Sequence, residues 1–158
     1  MQLPSHGEWS EPKAKALDFP TGHARRGIGD PPPVNTVRID VDESIRQHHQ
    51  AACGGVLRNS QGEWLMGYHK TLGLRSIIEA EIYAILLGFQ IGLQMNFQRI
   101  VIYSDSLDAI NILMRDSPPN HPLKDIIGEA RDLLFRDWNV ELHYTSRDNI
   151  SCADFMAK

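Results

Sequence analysis

The sequence predicts an α/β domain built on one mixed sheet with helices over its faces. Short alternating segments joined by turns come first along the chain, and a long helical stretch follows them. Later strands are separated by helical segments. Strands joined by hairpins pair antiparallel, and strands joined by helical crossovers pair parallel. The sheet is therefore expected to be antiparallel at one edge and parallel at the other.

Composition limits the classes of protein that fit this chain. It has 158 residues, of which 42% are hydrophobic and 23% are charged, as is typical of one globular domain. Because the sequence has neither a run of about 18 uncharged apolar residues nor a signal peptide, we expect a soluble intracellular protein that binds no membrane. Cys53 and Cys152 lie outside any C-x-x-C pair, which argues against a disulfide scaffold or a cysteine zinc site. The net charge of −4 argues mildly against a tight nucleic-acid binder.

The first 33 residues differ in composition from the rest. They hold six of the nine prolines, ending in Pro31, Pro32 and Pro33, and they show no hydrophobic period. This composition is typical of a flexible, proline-rich lead. Residues 34–158 are expected to form the folded domain.

Three strands are predicted at the start of that domain. Apolar and polar residues alternate over residues 34–44, which is the period of a half-buried strand. Residues 51–58 and 63–70 are two further short strands, and the turn-forming residues 59–62 join them as a hairpin.

Helical patterns follow the hairpin. Ser76 stands three residues before Glu79, a capping box that opens a helix over residues 77–93. Residues 99–104 form a continuous apolar run, which predicts a central strand covered on both faces. The remaining predicted elements are helices over residues 107–114 and 123–134, a strand over residues 140–144 and a final helix from residue 150.

Two acidic residues occupy positions where the surrounding pattern predicts apolar residues or a cap. Glu81 lies on the most apolar stripe of the long helix, where a lone carboxylate is costly. It is either a functional acid or a carboxylate bonded to backbone or to an arginine. Asp105 follows the central strand and leads into a helix, where α/β sheets commonly build sites. The alternative for Asp105 is a helix N-cap.

Two more acids complete a possible cluster. Asp42 lies on the first strand, opposite its apolar residues, and Asp154 lies in the final helix; either could be an ordinary solvated residue. Because the first and central strands are natural neighbours beneath the long helix, Asp42, Glu81, Asp105 and Asp154 would converge at one end of the sheet. Divalent cations would relieve their mutual repulsion, and oxygen ligands suit Mg²⁺ or Mn²⁺ rather than Zn²⁺.

This cluster predicts a site for two Mg²⁺ ions, for which Mn²⁺ can substitute. With metals roughly 3.5 to 4 Å apart, one activates water and the other stabilises the leaving oxygen during in-line attack on a phosphodiester.

Five segments in order carry a resemblance to a known family: VRIDVDES, CGGVLRNSQGEWLMGY, EAEIYAILLGF, VIYSDSLDAI and SRDNISCADFMAK. They resemble the type 1 ribonuclease H family, and most of all the ribonuclease H-like domains abundant in plants, many of them from retroelements. The resemblance covers residues 34–158. It implies a ribonuclease H-like fold with sheet order 3-2-1-4-5 and metal-dependent hydrolysis of the RNA strand of RNA·DNA hybrids. It also implies catalytic roles for the same four acids.

The resemblance extends to substrate contacts. The segment between the last two acids leaves no room for the basic protrusion by which some members of the family grip the hybrid. Binding of the hybrid, by what we expect to be a monomer, should then depend on scattered groups. The expected contacts are Ser44, Arg58, Ser106 and Arg147, with Arg75 and Lys124 as further cationic groups.

The chain departs from the family pattern at three positions. Glu43 stands where the family has glycine on the first strand. Tyr144 stands at the position of the family's mobile histidine, which is thought to help product release, and the adjacent His143 is expected to point the other way. The family's asparagine in the last segment is shifted one place early, to Asn149, with Ile150 in its position.

Two hypotheses remain open at this point. The four intact acids favour an active ribonuclease H endonuclease. Glu43, Tyr144 and the acidic balance of the domain favour a domesticated nucleic-acid-binding module with weak or no catalysis.

Overall fold

The computed structural model describes residues 35–115 and 120–150. The predicted N-terminal lead, nearly all of the predicted final helix and the predicted catalytic residue Asp154 lie outside these residues.

Five strands form one mixed sheet. They are β1 (Val37–Ile45), β2 (Gln50–Arg58), β3 (Trp64–Leu74), β4 (Ile100–Ser104) and β5 (Val140–Tyr144). Their order is β3-β2-β1-β4-β5. The first three strands pair antiparallel, whereas β1, β4 and β5 pair parallel. The mixed sheet and its order are confirmed.

Strand β3 is longer than the sequence predicts. It ends at Leu74 rather than at residue 70, because its pairing with β2 continues until Leu74 is opposite Gln50. The register shifts between Ala51 and Ala52, and Gly73 has a φ of 74°. Glycine adopts this left-handed conformation without a steric penalty, so the irregular end of the strand can stay paired.

Three α-helices belong to the described residues: α1 (Ile77–Gln94), α2 (Leu107–Met114) and α3 (Lys124–Leu134). Short 3-10 turns cover Gln47–His49 and Arg147–Ile150. Helix α1 begins as predicted, because the Ser76 side chain accepts a hydrogen bond from the Glu79 backbone amide at 3.2 Å. The Glu79 carboxylate accepts a hydrogen bond from Arg75.

Helix α1 packs closely against the centre of the sheet. A Cβ atom built on Gly88 would lie 3.1 Å from side-chain atoms of Ile102 and Val41, so this glycine lets the helix approach β1 and β4. By length and hydropathy alone α1 could cross a membrane, yet 61% of it is buried. The burial is that of a core helix. The close packing holds Glu81, one turn into α1, near the ends of β1 and β4.

The opposite face of the sheet carries buried polar residues. On β1 the side chains of Arg38, Asp40 and Asp42 alternate with apolar ones, and all three are buried. Arg38 Nε donates to Asp40 Oδ1 at 2.8 Å, and the guanidinium lies 4.2 Å from the centre of the Tyr103 ring. Burial raises the pKa of Asp40, although Arg38 opposes the shift. The face next to Asp42 is therefore an ordered polar layer rather than a solvated surface.

Candidate active site

Two predicted acids stand at the ends of adjacent parallel strands. Strands β1 and β4 pair through Asp40 and Tyr103. Asp42 and Asp105 each lie two residues beyond that pair. Both acids therefore reach the C-terminal edge of the parallel strands, the edge at which α/β sheets form binding sites.

Asp105 is not a helix cap. The N-cap of α2 is Ser106, whose Oγ accepts a hydrogen bond from the Ala109 amide at 3.2 Å. The N-cap alternative for Asp105 is therefore wrong, because its neighbour fills that role. The Asp105 carboxylate therefore belongs to the acidic cluster rather than to a helix cap.

Ser106 also joins the third predicted acid to this edge. Its hydroxyl donates to Glu81 Oε2 at 2.5 Å. Glu81 is half-buried, and burial raises its pKa while the bond from Ser106 opposes the shift. The alternative prediction for Glu81 was a hydrogen bond to backbone or to an arginine, whereas the observed donor is the Ser106 hydroxyl. A substrate-binding role for Ser106 stays a prediction.

Arg147 bridges the acids from the far end of the chain. Its Nε donates to Asp105 Oδ2 at 2.9 Å. Its Nη2 lies 3.9 Å from Asp42 Oδ1 and 3.8 Å from Glu43 Oε1. The sequence singled out Arg147 as a substrate contact but carried no signal for this bridge, because the pairing depends on how the turn after β5 folds back over β1.

Asp42 is the most deeply buried of the three acids, at 3% exposed. Its Oδ1 accepts from the Glu43 amide at 2.9 Å, while its buried Oδ2 has no hydrogen-bond partner in the described part of the chain. Burial and the nearby Asp105 carboxylate raise the pKa of Asp42 to about 8. The alternative of an ordinary solvated residue is wrong, because the Asp42 side chain is buried on a covered face of the sheet.

The donor chemistry fits a hard divalent cation. Asp42 Oδ2 is a buried acceptor without a donor, and the neighbouring groups at this edge are carboxylates, the ligands that Mg²⁺ and Mn²⁺ prefer. Among residues 35–115 and 120–150, no group of three or more His, Cys, Asp or Glu side chains is already arranged as a metal site. The fourth predicted ligand, Asp154, is not among them.

The structure separates the predicted substrate contacts. Ser44 lies on β1 beyond Asp42, at the acidic edge. Arg58 pairs with Arg38, whereas Asp42 pairs with Gly54. Arg58 lies four positions beyond Gly54 on β2, or about 13 Å along a strand. Arg58 is thus not brought together with the acids.

The remaining predicted cationic groups are Arg75 and Lys124. Arg75 forms an ion pair with Glu79 at 3.1 Å, and Lys124 begins α3.

The positions that depart from the family pattern have defined surroundings. Tyr144 ends β5 and is partly exposed, whereas His143 is buried and stacks on Tyr103 at 5.5 Å between ring centres. The opposite orientations of Tyr144 and His143 agree with the prediction. The Asn149 side chain donates to Thr145, and the neighbouring Ile150 is buried.

One positioning residue escaped the sequence reasoning. Arg38 Nη2 donates to the backbone carbonyl of Asn149 at 3.5 Å and so ties the turn that carries Arg147 to β1. In the sequence, Arg38 is a basic residue within an alternating strand, a pattern that is equally typical of a solvated position. A buried role for Arg38 is distinguished from a solvated one only by the structure, in which this face of the sheet is covered.

Comparison with known proteins identifies a family. Residues 40–158 match the sequence pattern of the family described as reverse transcriptase-like. An Arabidopsis thaliana protein named "putative ribonuclease H protein" is 27% identical over 127 residues, which are 80% of this chain and 20% of that protein. The chain therefore spans about a fifth of the length of this curated relative.

Solved structures share the fold. Ribonuclease H1 from the halophilic archaeon Halobacterium salinarum superposes with a TM-score of 0.69 at 24% identity, over 77% of this chain and 93% of that one. LC11 ribonuclease H1, solved in complex with an RNA/DNA hybrid, gives a TM-score of 0.64 at 19% identity, over 76% of this chain and 92% of its own. Because the family match covers most of the chain and the sheet has the same architecture, the chain belongs to the reverse transcriptase-like family as a ribonuclease H-like domain.

Proposed function

We propose that this domain hydrolyses the RNA strand of RNA·DNA hybrids with the help of divalent cations. The observation that carries the proposal is the convergence of Asp42, Glu81 and Asp105 at the C-terminal edge of β1 and β4, with a buried Asp42 oxygen that lacks a donor within the described residues. The ribonuclease H name of the Arabidopsis relative and the hybrid bound to LC11 ribonuclease H1 support this substrate class.

The acids would hold the cations. Asp42, Asp105 and Glu81 supply the carboxylates, and Asp154 is the fourth ligand that the family resemblance implies. Bound divalent cations polarise a phosphate and lower the pKa of water. The proposed ions are Mg²⁺, with Mn²⁺ as a substitute.

The other residues of the site would orient a catalytic carboxylate and bind the substrate. Ser106 holds the Glu81 carboxylate through its hydroxyl while it caps α2. The Arg147 side chain is 62% exposed, and a planar guanidinium presents donors that match a phosphate. Among the described cationic groups, Arg147 is therefore the one placed to contact the scissile region of a hybrid.

A cleavage assay tests the proposal. The full chain is incubated with an RNA·DNA hybrid labelled on the RNA strand, in Mg²⁺ and separately in Mn²⁺. Duplex DNA and duplex RNA serve as controls. We expect cuts in the RNA strand of the hybrid and little in the controls. Absence of cleavage in both metals would contradict the proposal.

The second candidate is a hybrid-binding module with weak catalysis, and Glu43 favours it. The Glu43 carboxylate is buried beside Asp42, 3.8 Å from Arg147 Nη2. The negative charge of Glu43 repels the phosphates of the substrate at short range. Its carboxylate also competes with the other acids for a metal, in the wrong geometry. On this view the domain would bind the hybrid and cleave it slowly.

The variant Glu43→Gly separates the two candidates. Glycine keeps the backbone amide that donates to Asp42 Oδ1 and removes the carboxylate together with the rest of the side chain. We expect initial rates of hybrid cleavage to rise about 3- to 10-fold, as for loss of one nearby like charge. The gain should be larger in Mg²⁺ than in Mn²⁺, because Mg²⁺ demands near-ideal octahedral geometry. If the variant is no faster in either metal, Glu43 is not inhibitory and the binding-module candidate loses its support.

A further inference from the structure

We propose that Arg147 is a built-in counter-ion of the acidic edge, and that it competes with divalent cations for the same carboxylates. In the metal-free protein the guanidinium offsets part of the negative charge of this edge, through its contacts with Asp105, Glu43 and Asp42. A divalent cation must displace it. This inference rests on the proposed function only in that the acids bind divalent cations.

The contacts are those of a shared counter-ion rather than of a single salt bridge. Arg147 Nε donates to Asp105 Oδ2 at 2.9 Å, and Nη2 makes longer electrostatic contacts to Asp42 Oδ1 at 3.9 Å and to Glu43 Oε1 at 3.8 Å. Three carboxylates thus surround one cation. Because a guanidinium stays protonated at any working pH, this positive charge is permanent.

The oxygens that Arg147 contacts belong to the expected metal ligands. A divalent cation bound at this edge would have to share Asp105 Oδ2 and Asp42 Oδ1 with the guanidinium, which weakens its coordination by these oxygens. Like charges also repel, so a cation that enters beside Arg147 meets an unfavourable field. Metal binding and the Arg147 contacts should therefore oppose each other.

The geometry allows the guanidinium to leave without unfolding the turn. The Arg147 side chain is 62% exposed, whereas the side chain of Asp105 is 11% exposed and that of Asp42 is fully covered. The turn itself is held by other bonds: Arg38 donates to the Asn149 backbone carbonyl, the Thr145 amide donates to the Ser104 carbonyl, and the Asn149 side chain donates to the Thr145 side chain. The turn is thus anchored independently of the Arg147 side chain.

A displaced guanidinium would remain at the rim of the site. It could then exchange a carboxylate oxygen for a phosphate oxygen, since both oxyanions can accept two hydrogen bonds from the guanidinium donors. Metal loading would in this way release the group that captures the substrate. A static ion pair, by contrast, would only stabilise the fold and leave metal affinity unchanged.

Titration calorimetry with Mg²⁺ and with Mn²⁺, on the full chain without nucleic acid, tests the competition. We compare the original chain with Arg147→Gln, Arg147→Lys and Arg58→Gln. Loss of a partly exposed competing ion pair should tighten metal binding about 3- to 10-fold in Arg147→Gln. Arg147→Lys keeps the charge and should stay close to the original affinity. Arg58→Gln removes one charge at the other end of β2 and should change little.

Several outcomes would overturn the proposal. Unchanged or weaker metal binding by Arg147→Gln contradicts it, and so does an equal gain in Arg58→Gln, which would indicate a general effect of net charge. Failure of every variant to bind either metal also contradicts it. Tighter binding by Arg147→Gln in a chain that cleaves no hybrid would support the counter-ion while the proposed function fails.

A second measurement needs no variant. The Nε–H resonance of Arg147 is followed by NMR in the original chain as Mg²⁺ is added. Loss of the bond to Asp105 should shift this resonance and speed its exchange with water. A signal that stays unchanged at saturating Mg²⁺ would overturn the proposal even if Arg147→Gln fails to fold.

Discussion

Asp42 occupies the most unusual surroundings of any acid in the described part of the chain. It is buried in the central strand, one oxygen accepts a backbone amide, and the other has no donor among the described residues. Its pKa of about 8, raised by burial and by Asp105, means that the folded protein resists ionising it. A cation bound beside Asp42 would therefore stabilise its ionised form.

Asp42→Asn should remove a pH-dependent loss of stability. Because the folded-state pKa lies above the ordinary value, the contribution of Asp42 to stability is complete below about pH 4 and is lost as the pH rises through about 8. In EDTA we expect the variant to be more stable than the original chain by about 1 to 3 kcal/mol near pH 8. The difference should shrink toward pH 5. Urea unfolding at several pH values measures it, and a difference that does not vary with pH would contradict the assignment.

Asp105→Asn and Glu81→Gln should each lower hybrid cleavage by at least about 100-fold, since both remove a carboxylate from the proposed metal site. Their fold should stay intact, because less repulsion remains in the metal-free site. Glu79→Gln is the matched control on α1. The Ser76 cap accepts from the Glu79 backbone amide, which the substitution keeps. Initial rates and circular dichroism measure both effects. Equal losses at 79 and 81 would mean that the acid of α1 is wrongly identified.

At the level of strands and helices, the acids depend on elements that pack closely together. Glycines let neighbouring elements pack more closely than a Cβ atom would permit, and the shortest of these distances is at Gly55 on β2. A Cβ there would overlap the ring of Tyr68, which is buried in the core. Gly55 therefore allows a close approach between β2 and β3.

Gly55→Ala should therefore destabilise the domain by about 1 to 3 kcal/mol, because an aromatic ring in a packed core cannot move aside freely. Gly128→Ala in α3 is the control. A Cβ there meets nothing within 4 Å, and alanine favours a helix over glycine by up to about 1 kcal/mol. Thermal or urea unfolding should show opposite signs for the two variants. A stable Gly55→Ala would mean that β2 and β3 are farther apart than described.

For the domain taken together, charge limits how it can hold a nucleic acid. The chain carries 16 basic and 20 acidic residues. The described cationic groups are scattered: Arg147 lies at the acidic edge, whereas Arg58 lies at the far end of β2. Affinity for a hybrid should therefore come from few phosphate contacts.

Binding of a hybrid to the inactive Asp105→Asn chain should be weak and depend steeply on salt, through release of counterions from phosphates. With about three contacts, affinity should fall about 40-fold between about 50 mM and 200 mM salt. Fluorescence anisotropy of a labelled hybrid measures this, with EDTA present to exclude metal effects. Tight binding that persists at high salt would indicate a larger interface than the described surface offers.

Local sequence was sufficient for most of the architecture. Alternation predicted β1, the capping box predicted the start of α1, and the continuous apolar run predicted β4. These patterns record which side of an element is buried, and burial follows directly from side-chain chemistry. Glu81 was identified for the same reason, since it interrupts an apolar stripe. Asp105 was identified by its place at the end of the apolar run, and Asp42 by its place on the neighbouring strand.

What escaped the sequence depends on contacts between residues far apart in the chain. Ser106 rather than Asp105 caps α2, and the same hydroxyl reaches Glu81 on another element. Arg147 meets Asp105 across 42 positions of sequence. Arg58, by contrast, is separated from the acids by the register of β2. Periodicity reports the face on which a side chain lies but not its partner, because partners are chosen by strand register and by the path of the connecting turns, and these are decided only when the sheet assembles.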